Sequence, residues 1–324
     1  MNYFRQKVNT NIKLNIAILF GGISSEREVS IKSAIEVASA LDSSLSVDLI
    51  ELNHLNFSTF VDEIKENTLV FNALHGGEGE NGQIQSFLSQ HGIPHTGSES
   101  MASMLAMNKH FTKIIALENG IQTPNWLSVN ISNTDESKIL SYKSNQFTYP
   151  VVVKPNFQGS TLGLSIVKNK DGMKEAINLA SIYSDNIIVE KFIKGRELTV
   201  GILGGKILEV VEIIPNSGFY DYSSKYTKGA TKYICPANIE ENISKKIKEN
   251  ALQIHNSLNC RHYSRVDFLL CEETAIPYML EINTLPGLCS TSLLPISAKS
   301  SNIDFKNLVK KIIKLALIDA QIIK

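Results

Sequence analysis

The sequence has no excess charge of either sign. Its 324 residues carry 32 Lys and Arg against 32 Asp and Glu. A polyanionic partner calls for a basic surplus, so nucleic acid is not an expected partner. Cysteine is scarce, with Cys235, Cys260, Cys271 and Cys289 and no C-x-x-C pair. This argues against a zinc site or a disulfide framework. No apolar run approaches a membrane span. Met1 to Lys13 carries Arg5, Lys7 and Lys13 without an apolar centre, so it reads as a short tail and not a secretion signal. Two common nucleotide motifs are missing as well. No Gly-x-Gly-x-x-Gly follows the first strand, and no Walker A loop occurs. These absences point to a protein of the reducing cytoplasm without a membrane partner.

The patterning that is present divides the chain in three. Leu14 to Phe20 is an apolar run ending at Gly21-Gly22, and a helix signal follows, with Ser24 or Ser25 as cap and Glu26 and Glu28 in its first turn. Val47 to Leu52 and Thr68 to Leu74 are further strands. Strands alternating with helices predict a small doubly wound unit with a parallel sheet, ending near Ala106. The middle changes character. Pro150 to Lys154, Leu164 to Val167, Ile187 to Glu190, Leu198 to Leu203 and Lys206 to Ile214 read as strands in series, hence an antiparallel sheet with flanking helices. The last third holds helical spacing at Ile243, Ile247, Ala251, Ile254 and Leu258, and again from Phe305 to Ala316. The predicted divisions are 1–106, 107–192 and 193–324, and the fold class is mixed α/β (α+β).

Between those two helices lies the hairpin Ser264 to Ile282. A turn at Glu272 to Ala275 sets Asp267 opposite Glu281 and Arg265 opposite Asn283, with all four on one face. Val266, Phe268 and Leu270 with Leu280 and Ile282 then form the core face. Opposed carboxylates repel, so something must compensate. One reading is a hard divalent cation such as Mg²⁺, held by oxygen ligands from Asp267, Glu281 and Asn283. The other is a solvated polar face neutralised by Arg265.

Phosphate chemistry has its own candidates. Lys154 closes a run of valines, and a lysine at the tip of a buried strand is costly unless it meets an anion. The loop Gln158-Gly159-Ser160-Thr161-Leu162-Gly163 offers backbone N–H groups to phosphate oxygens, although most such loops are plain turns. Lys109, taken alone, reads as a solvated helix lysine. Glu190 to Ile193 is an extended connector whose backbone suits an adenine edge, and Glu197 suits a ribose hydroxyl. The plain alternative is an ordinary connector.

In this order the pieces resemble the ATP-grasp ligases, and within them the D-alanine–D-alanine ligase family. The blocks are Gly21 to Ser30 (GGISSEREVS), His75 to Gly82 (HGGEGENG), Met107-Asn108-Lys109, Val153-Lys154-Pro155 and Gly159 to Gly163 (GSTLG). Phe219 to Tyr222 with Lys225-Tyr226, Arg265-Val266-Asp267 and Glu281 to Gly287 (EINTLPG) complete the set. The resemblance runs from about Asn15 to about Ala316.

It implies an ATP-grasp fold behind an N-terminal doubly wound α/β domain, and ligation of two D-alanines through a D-alanyl phosphate for peptidoglycan synthesis. ATP is the implied co-substrate, with two Mg²⁺ ions that Mn²⁺ replaces, and a homodimer is the implied assembly. Glu26 matches the residue that binds the first D-alanine's ammonium, with His75 nearby. Lys109 and Lys154 match phosphate-holding lysines, with Ser160 and Thr161 in the loop over the γ-phosphate. Glu190, Lys191, Ile193 and Glu197 match adenine and ribose contacts. Lys225 and Tyr226 match a closing loop, whose tyrosine joins Ser160 and Glu26. Asp267, Glu281 and Asn283 match metal ligands, Arg265 and the backbone of Gly287 an oxyanion site, and Ser292 and Leu293 the second D-alanine's contacts.

Departures are few. Gln158 stands where glutamate is usual, Thr161-Leu162 replaces Ser-Val, and Cys289 and Thr291 differ near the second subsite. Cys289 has no evident base and reads as a bystander. Rival readings are a D-alanyl-D-lactate or D-alanyl-D-serine ligase, against which Tyr226 argues, and another carboxylate–amine ligase, against which the His75 block argues. A non-catalytic nucleotide sensor is a third, and the retained Asp267, Glu281 and Asn283 argue against that.

Overall fold

The computed structural model describes residues 14–43, 45–54, 56, 58–132, 148–216 and 229–323. The chain begins on strand β1 (Asn15–Gly21), whose apolar run is buried almost throughout. A strand buried on both faces suits the centre of a parallel sheet. β2 (Ser46–Leu52) and β3 (Thr68–Asn72) pair with it in parallel, in the order β2-β1-β3. Gly21 takes φ +89°, and a Cβ there would lie 2.9 Å from the Leu52 carbonyl oxygen, so only glycine lets the chain turn off the sheet at this point. Helix α1 (Arg27–Ala40) follows. It starts later than the sequence reading has it. Glu26 sits at the cap position with no side-chain cap bond, and Ser24 Oγ instead accepts from the Glu26 N–H at 3.1 Å. The carboxylate of Glu26 is thereby left to face away from its own helix.

Helices α2 (Gln83–Gln90), α3 (Ser100–Met107) and α4 (Lys109–Glu118) lead to two antiparallel sheets. The first has the order β4-β7-β5-β6, from β4 (Trp126–Asn130), β5 (Val151–Pro155), β6 (Ser165–Val167) and β7 (Asn186–Lys191). Helix α5 (Met173–Ser181) closes its core with Met173, Ala176, Ile177 and Ala180. The second sheet runs β10-β9-β8-β11-β12, from β8 (Gly195–Leu203), β9 (Lys206–Pro215), β10 (Thr231–Ile234), β11 (Tyr263–Cys271) and β12 (Pro277–Asn283). The hairpin read from the sequence is β11-β12, and it joins the strands of the middle third in one sheet.

Helix α6 (Glu241–Ser257) seals that sheet with Ile247, Ala251 and Ile254 against Val200, Val266 and Phe268. Ala102, Ala106 and Ala116 of α3 and α4 belong to the same core. A short helix α7 (Leu293–Ser300), which the sequence reading leaves out, follows the hairpin. Helix α8 (Phe305–Asp319) then returns to the N-terminal sheet. Its Leu308, Val309, Ile312 and Ala316 share a core with Ile16, Ile18 and Leu69. Each buried Leu, Val or Ile among them contributes roughly 1.5–3 kcal/mol. The N-terminal sheet and helix α8 are therefore bound together.

Candidate active site

A cleft of about 740 Å³ is lined from the N-terminal unit and from both antiparallel sheets. Glu26 and His75 reach it from the first unit, and Lys109 from the start of α4. Lys154, Ser160, Thr161, Glu190, Lys191 and Ile193 come from the four-stranded sheet and its loops. Glu197, Arg265, Asp267, Glu281, Asn283, Gly287, Ser292 and Leu293 come from the five-stranded sheet and the turn after it. Lys225, Tyr226 and the cluster Phe219 to Tyr222 lie outside the described residues.

At the N-terminal end, Ser160 Oγ donates to Glu26 Oε1 at 2.5 Å across 134 positions of sequence. Gly76 makes this possible, since a Cβ there would lie 2.8 Å from Glu26 Oε2. Ser160 and Thr161 both hold left-handed backbone, φ +52° and +62°. Non-glycine residues in that region cost about 1–3 kcal/mol each and tend to cluster where a loop clamps a ligand. His75 is buried, with Nε2 2.9 Å from Ser33 Oγ and Nδ1 3.8 Å from Glu80 Oε1. Burial raises the pKa of Glu80, the His75 imidazole opposes that rise, and the charge of Glu26 adds to it.

The middle of the cleft is a cationic shelf. Lys154 Nζ meets Glu190 Oε1 at 2.5 Å, and Lys113 Nζ meets Glu190 Oε2 at 2.9 Å. Two lysines and one carboxylate leave a net charge of +1, which suits a phosphate chain. Burial would raise the Glu190 pKa, but the two ammonium groups outweigh it and hold the carboxyl below its ordinary value. Burial pushes the Lys113 pKa down to about 8. Lys109 is buried too, contrary to its plain reading as a solvated lysine. It donates to the Gln158 carbonyl at 2.7 Å and pairs with Glu281 at 3.0 Å. The Lys191 N–H donates to the Asn125 carbonyl at 2.9 Å.

In the hairpin, Arg265 pairs with Asn283 and Asp267 with Glu281, as the sequence reading has it. Beyond Asp267 the register is different. Phe268 faces Met279 and Leu270 faces Pro277, because a bulge breaks the ladder after Asp267. The extra residue removes Leu280 from the core face. Met279 and Ile282 are buried, while Leu280 is half-buried and lines the cleft. A bulge re-aims side chains in this way beside many sites. Arg265 donates to both oxygens of Asp267, at 2.9 and 2.8 Å, and Thr199 Oγ1 donates to Asp267 Oδ1 at 2.5 Å.

Both earlier readings of this face therefore keep support. Each acid has a cationic neighbour, and the donors gathered are oxygens only. Among the described residues no cluster of three His, Cys, Asp or Glu side chains forms a metal cage. Two carboxylates and one amide suit an ion that takes its remaining ligands from water and substrate phosphates, which is how Mg²⁺ is usually held.

Beyond the hairpin, a Cβ on Gly287 would stand 3.0 Å from Ser292 Oγ, so the turn passes close to that hydroxyl. The Cys289 N–H donates to Ser292 Oγ at 3.3 Å. Burial pushes the Cys289 thiol pKa up, which keeps it a poor nucleophile.

Sequence reasoning missed Lys113, Glu80, Ser33 and Thr199. Lys113 had a signal: it lies four residues after Lys109 on the same helix face, and the neighbouring Thr112 and Ala116 are also buried. Ser33 and Thr199 are short hydroxyl residues whose partners His75 and Asp267 lie 42 and 68 positions away, and Glu80 shows its pairing with His75 only once the intervening turn is folded.

The D-ala D-ala ligase C-terminus family matches residues 115–314. A D-alanine--D-alanine ligase of Methylacidiphilum infernorum is 41% identical over 95% of this chain and 97% of its own length. The crystal structure of the Bacillus anthracis D-alanine--D-alanine ligase complexed with ATP matches with a TM-score of 0.82 at 31% identity, covering 96% of this chain and 99% of that one. The VanG D-Ala:D-Ser ligase of Enterococcus faecalis superimposes with a TM-score of 0.81 at 29% identity, over 94% of this chain and 100% of that one. Agreement over nearly the whole length, with the ATP-grasp fold common to the solved structures, places this chain in the D-alanine–D-alanine ligase family.

Proposed function

We propose that this chain joins two D-alanine molecules into D-alanyl-D-alanine, converting ATP to ADP and phosphate, and so supplies a peptidoglycan precursor. The observation that carries this reading is the single cleft. It brings together a carboxylate for an ammonium (Glu26), a cationic shelf for phosphates (Lys109, Lys154) and an arginine beside opposed acids (Arg265, Asp267, Glu281). A carboxylate is a poor electrophile, so the first D-alanine must be activated. Its carboxylate oxygen attacks the γ-phosphorus of ATP, the bond to ADP breaks, and D-alanyl phosphate results. The amine of the second D-alanine attacks the acyl carbon, phosphate leaves, and the nitrogen sheds a proton.

Glu26, fixed by Ser160, holds the first ammonium. Lys109 and Lys154 leave Glu281 and Glu190 in part to neutralise charge on the transferring phosphoryl group. Arg265 and the Gly287 backbone stabilise the oxyanion, Ser292 and Leu293 receive the second D-alanine, and His75 lies near the first ammonium beside Glu26. Ser160 and Thr161 cover the γ-phosphate. Glu190, Lys191, Ile193 and Glu197 hold adenine and ribose, and Lys225 and Tyr226 close the site. Asp267, Glu281 and Asn283 would hold Mg²⁺, or Mn²⁺ in its place, and the bound ion would supply charge neutralisation for the phosphate oxygens.

Three broader assignments belong to the same proposal. The divisions 1–106, 107–192 and 193–324 are supported by the grouping of the strands into three sheets, although α3 and α4 pack in the core of the five-stranded one and α8 in that of the first. Homodimerisation is supported by exposed Met101, Met104, Phe111, Ile114 and Leu117 on those two helices. A cytoplasmic location is supported by four free cysteines; among the described residues no helix is long and apolar enough to cross a membrane.

Phosphate release with ATP and Mg²⁺ tests the activity against D-alanine, L-alanine, D-serine and D-lactate. Turnover that requires D-alanine, with the dipeptide as product, is expected. Equal turnover with L-alanine would refute the substrate, and a mixed product with D-serine or D-lactate would move the assignment to that acceptor.

A further inference from the structure

Lys113 lies outside the lining of the cleft, yet it is fully buried and holds one of the groups that line it. Its ammonium stands 2.9 Å from Glu190 Oε2, donates to Thr123 Oγ1 at 2.7 Å and lies 5.4 Å from the centre of the Trp126 ring. Thr123 Oγ1 in turn donates to the Met279 carbonyl at 2.8 Å, and the Met279 N–H donates to the Gln122 carbonyl at 2.8 Å. The lysine is thus anchored from α4 to the bulged strand β12, and its charge is aimed at a carboxylate on the neighbouring sheet. Sequence reading gave it no role, and the reaction as described does not use it.

The need for a second lysine follows from charge accounting. Glu190 is 3% exposed, and Lys154 covers its other oxygen at 2.5 Å. If Lys154 turns toward a phosphate, Glu190 loses that partner. A buried carboxylate with no cation beside it takes up a proton. It would then change from a pure hydrogen-bond acceptor to a donor. An acceptor fits the exocyclic amine of adenine, whereas a donor fits the carbonyl that hypoxanthine carries at the same ring position.

We propose that Lys113 is a positioning and specificity-determining residue, the permanent counter-ion that keeps Glu190 an ionised acceptor while Lys154 serves the phosphates, so that the site prefers ATP to ITP. This rests on the assignment of Glu190 to the adenine edge. Lys113 touches neither nucleotide nor amino acid and acts through Glu190 alone.

The test compares KM and kcat for ATP and for ITP in the full-length enzyme and in Lys113→Met, Thr123→Val, Glu190→Gln and the Lys113→Met/Glu190→Gln double variant. In Lys113→Met the KM for ATP should rise about tenfold, the scale of one hydrogen bond to a charged group. The KM for ITP should change little or fall, so that the ATP:ITP preference in kcat/KM narrows by about the same factor. Thr123→Val, which keeps the charge and removes one anchor, should narrow it less. In the Glu190→Gln background, Lys113→Met should leave the preference where Glu190→Gln put it, because a neutral amide needs no counter-ion.

A purely structural lysine predicts something else, namely a lower melting temperature with an unchanged ATP:ITP ratio, or effects that add in the double variant. Either result overturns the proposal. If Lys113→Met does not fold, an unchanged ratio in Thr123→Val has the same force. An unchanged ratio in Glu190→Gln would instead remove the adenine assignment beneath it. A shifted ratio there, with none in Lys113→Met, would sink the role of Lys113 alone.

Discussion

Arg265 grips Asp267 through two hydrogen bonds, 2.9 and 2.8 Å long, from two positions earlier on the same strand. Residues two apart share a face of a strand, and the planar guanidinium matches both carboxylate oxygens. The arginine assigned to the oxyanion and the aspartate assigned to Mg²⁺ are therefore one unit. Across the hairpin, Glu281 has Lys109 at 3.0 Å. Neither acid is left facing the other without a cation nearby.

That arrangement predicts opposite outcomes for folding and for turnover at Glu281. Lys109 is buried while Glu281 is partly exposed, and the amide of Glu281→Gln can still accept from the ammonium, so the fold should survive at a cost of about 1–3 kcal/mol. Turnover should fall on the order of a hundredfold, the scale of losing one transition-state electrostatic contact, and the Mg²⁺ needed for half-maximal rate should rise. Thermal melting and a Mg²⁺ titration of ADP formation measure the two. Wild-type turnover at low Mg²⁺ would remove Glu281 from the metal site.

Ser160→Ala deletes the donor to Glu26 without altering bulk. The left-handed backbone at position 160 is unaffected in kind, so the loop should keep its shape. The loss should be about tenfold in kcat/KM for the first D-alanine, near the value of one hydrogen bond to a charged group. Initial rates over a D-alanine range would detect it, and an effect confined to the KM for ATP would place Ser160 elsewhere in the reaction.

Buried histidines set an acid limit on stability. Burial lowers the pKa of His255 to about 4, and that of His262 to about 4 with help from the Arg261 charge. Their unfolded value is about 6.5. A group with a depressed pKa binds fewer protons folded than unfolded, so stability falls as pH drops from about 6.5 and the loss is complete near 4. For His255 alone the full effect is roughly 3 kcal/mol as an upper bound. Its Nδ1 lies 2.7 Å from Ser264 Oγ, so the replacement should keep an amide in that place. Urea unfolding at intervals between pH 7 and pH 4.5 should give a shallower pH slope for His255→Asn than for the wild type. Identical slopes would mean that His255 is not neutral in the fold.

What could be read from the sequence followed from local chemistry. The buried run Asn15–Gly21, the helical spacing from Ile243 to Leu258 and the opposition of Asp267 to Glu281 needed only a period of two or 3.6. The blocks around Glu26, Lys154 and Arg265 needed only their order along the chain. Three things were not legible. Helix α8 completes the N-terminal core from the far end of the chain, and spacing does not reveal a partner sheet. Lys113 looks like any helix lysine until Glu190, 77 positions away, is brought beneath it. The bulge after Asp267 has no glycine or proline to announce it, and strict alternation assigns Leu280 to the wrong face.

That last residue supports a prediction with its own control. Alternation of β12 makes Leu280 a core residue and Met279 a surface one, and the bulge reverses them. Met279 is 0% exposed and packs with Phe268 and Val266, whereas Leu280 lines the cleft. Met279→Ala should therefore cost about 2–5 kcal/mol of stability, the usual range for a large side chain removed from a core. Leu280→Ala removes apolar surface that a bound base would otherwise cover. It should cost less than about 1 kcal/mol of stability and raise the KM for ATP several-fold, with the KM for D-alanine unchanged. Urea unfolding and nucleotide-dependent initial rates on the two variants give four numbers. A stable Met279→Ala protein beside a destabilised Leu280→Ala one would mean that the ladder is regular in solution. The opposite pattern, with the KM effect confined to Leu280, would tie the bulge to the nucleotide site: one added residue removes a leucine from the core while Glu281 stays opposite Asp267.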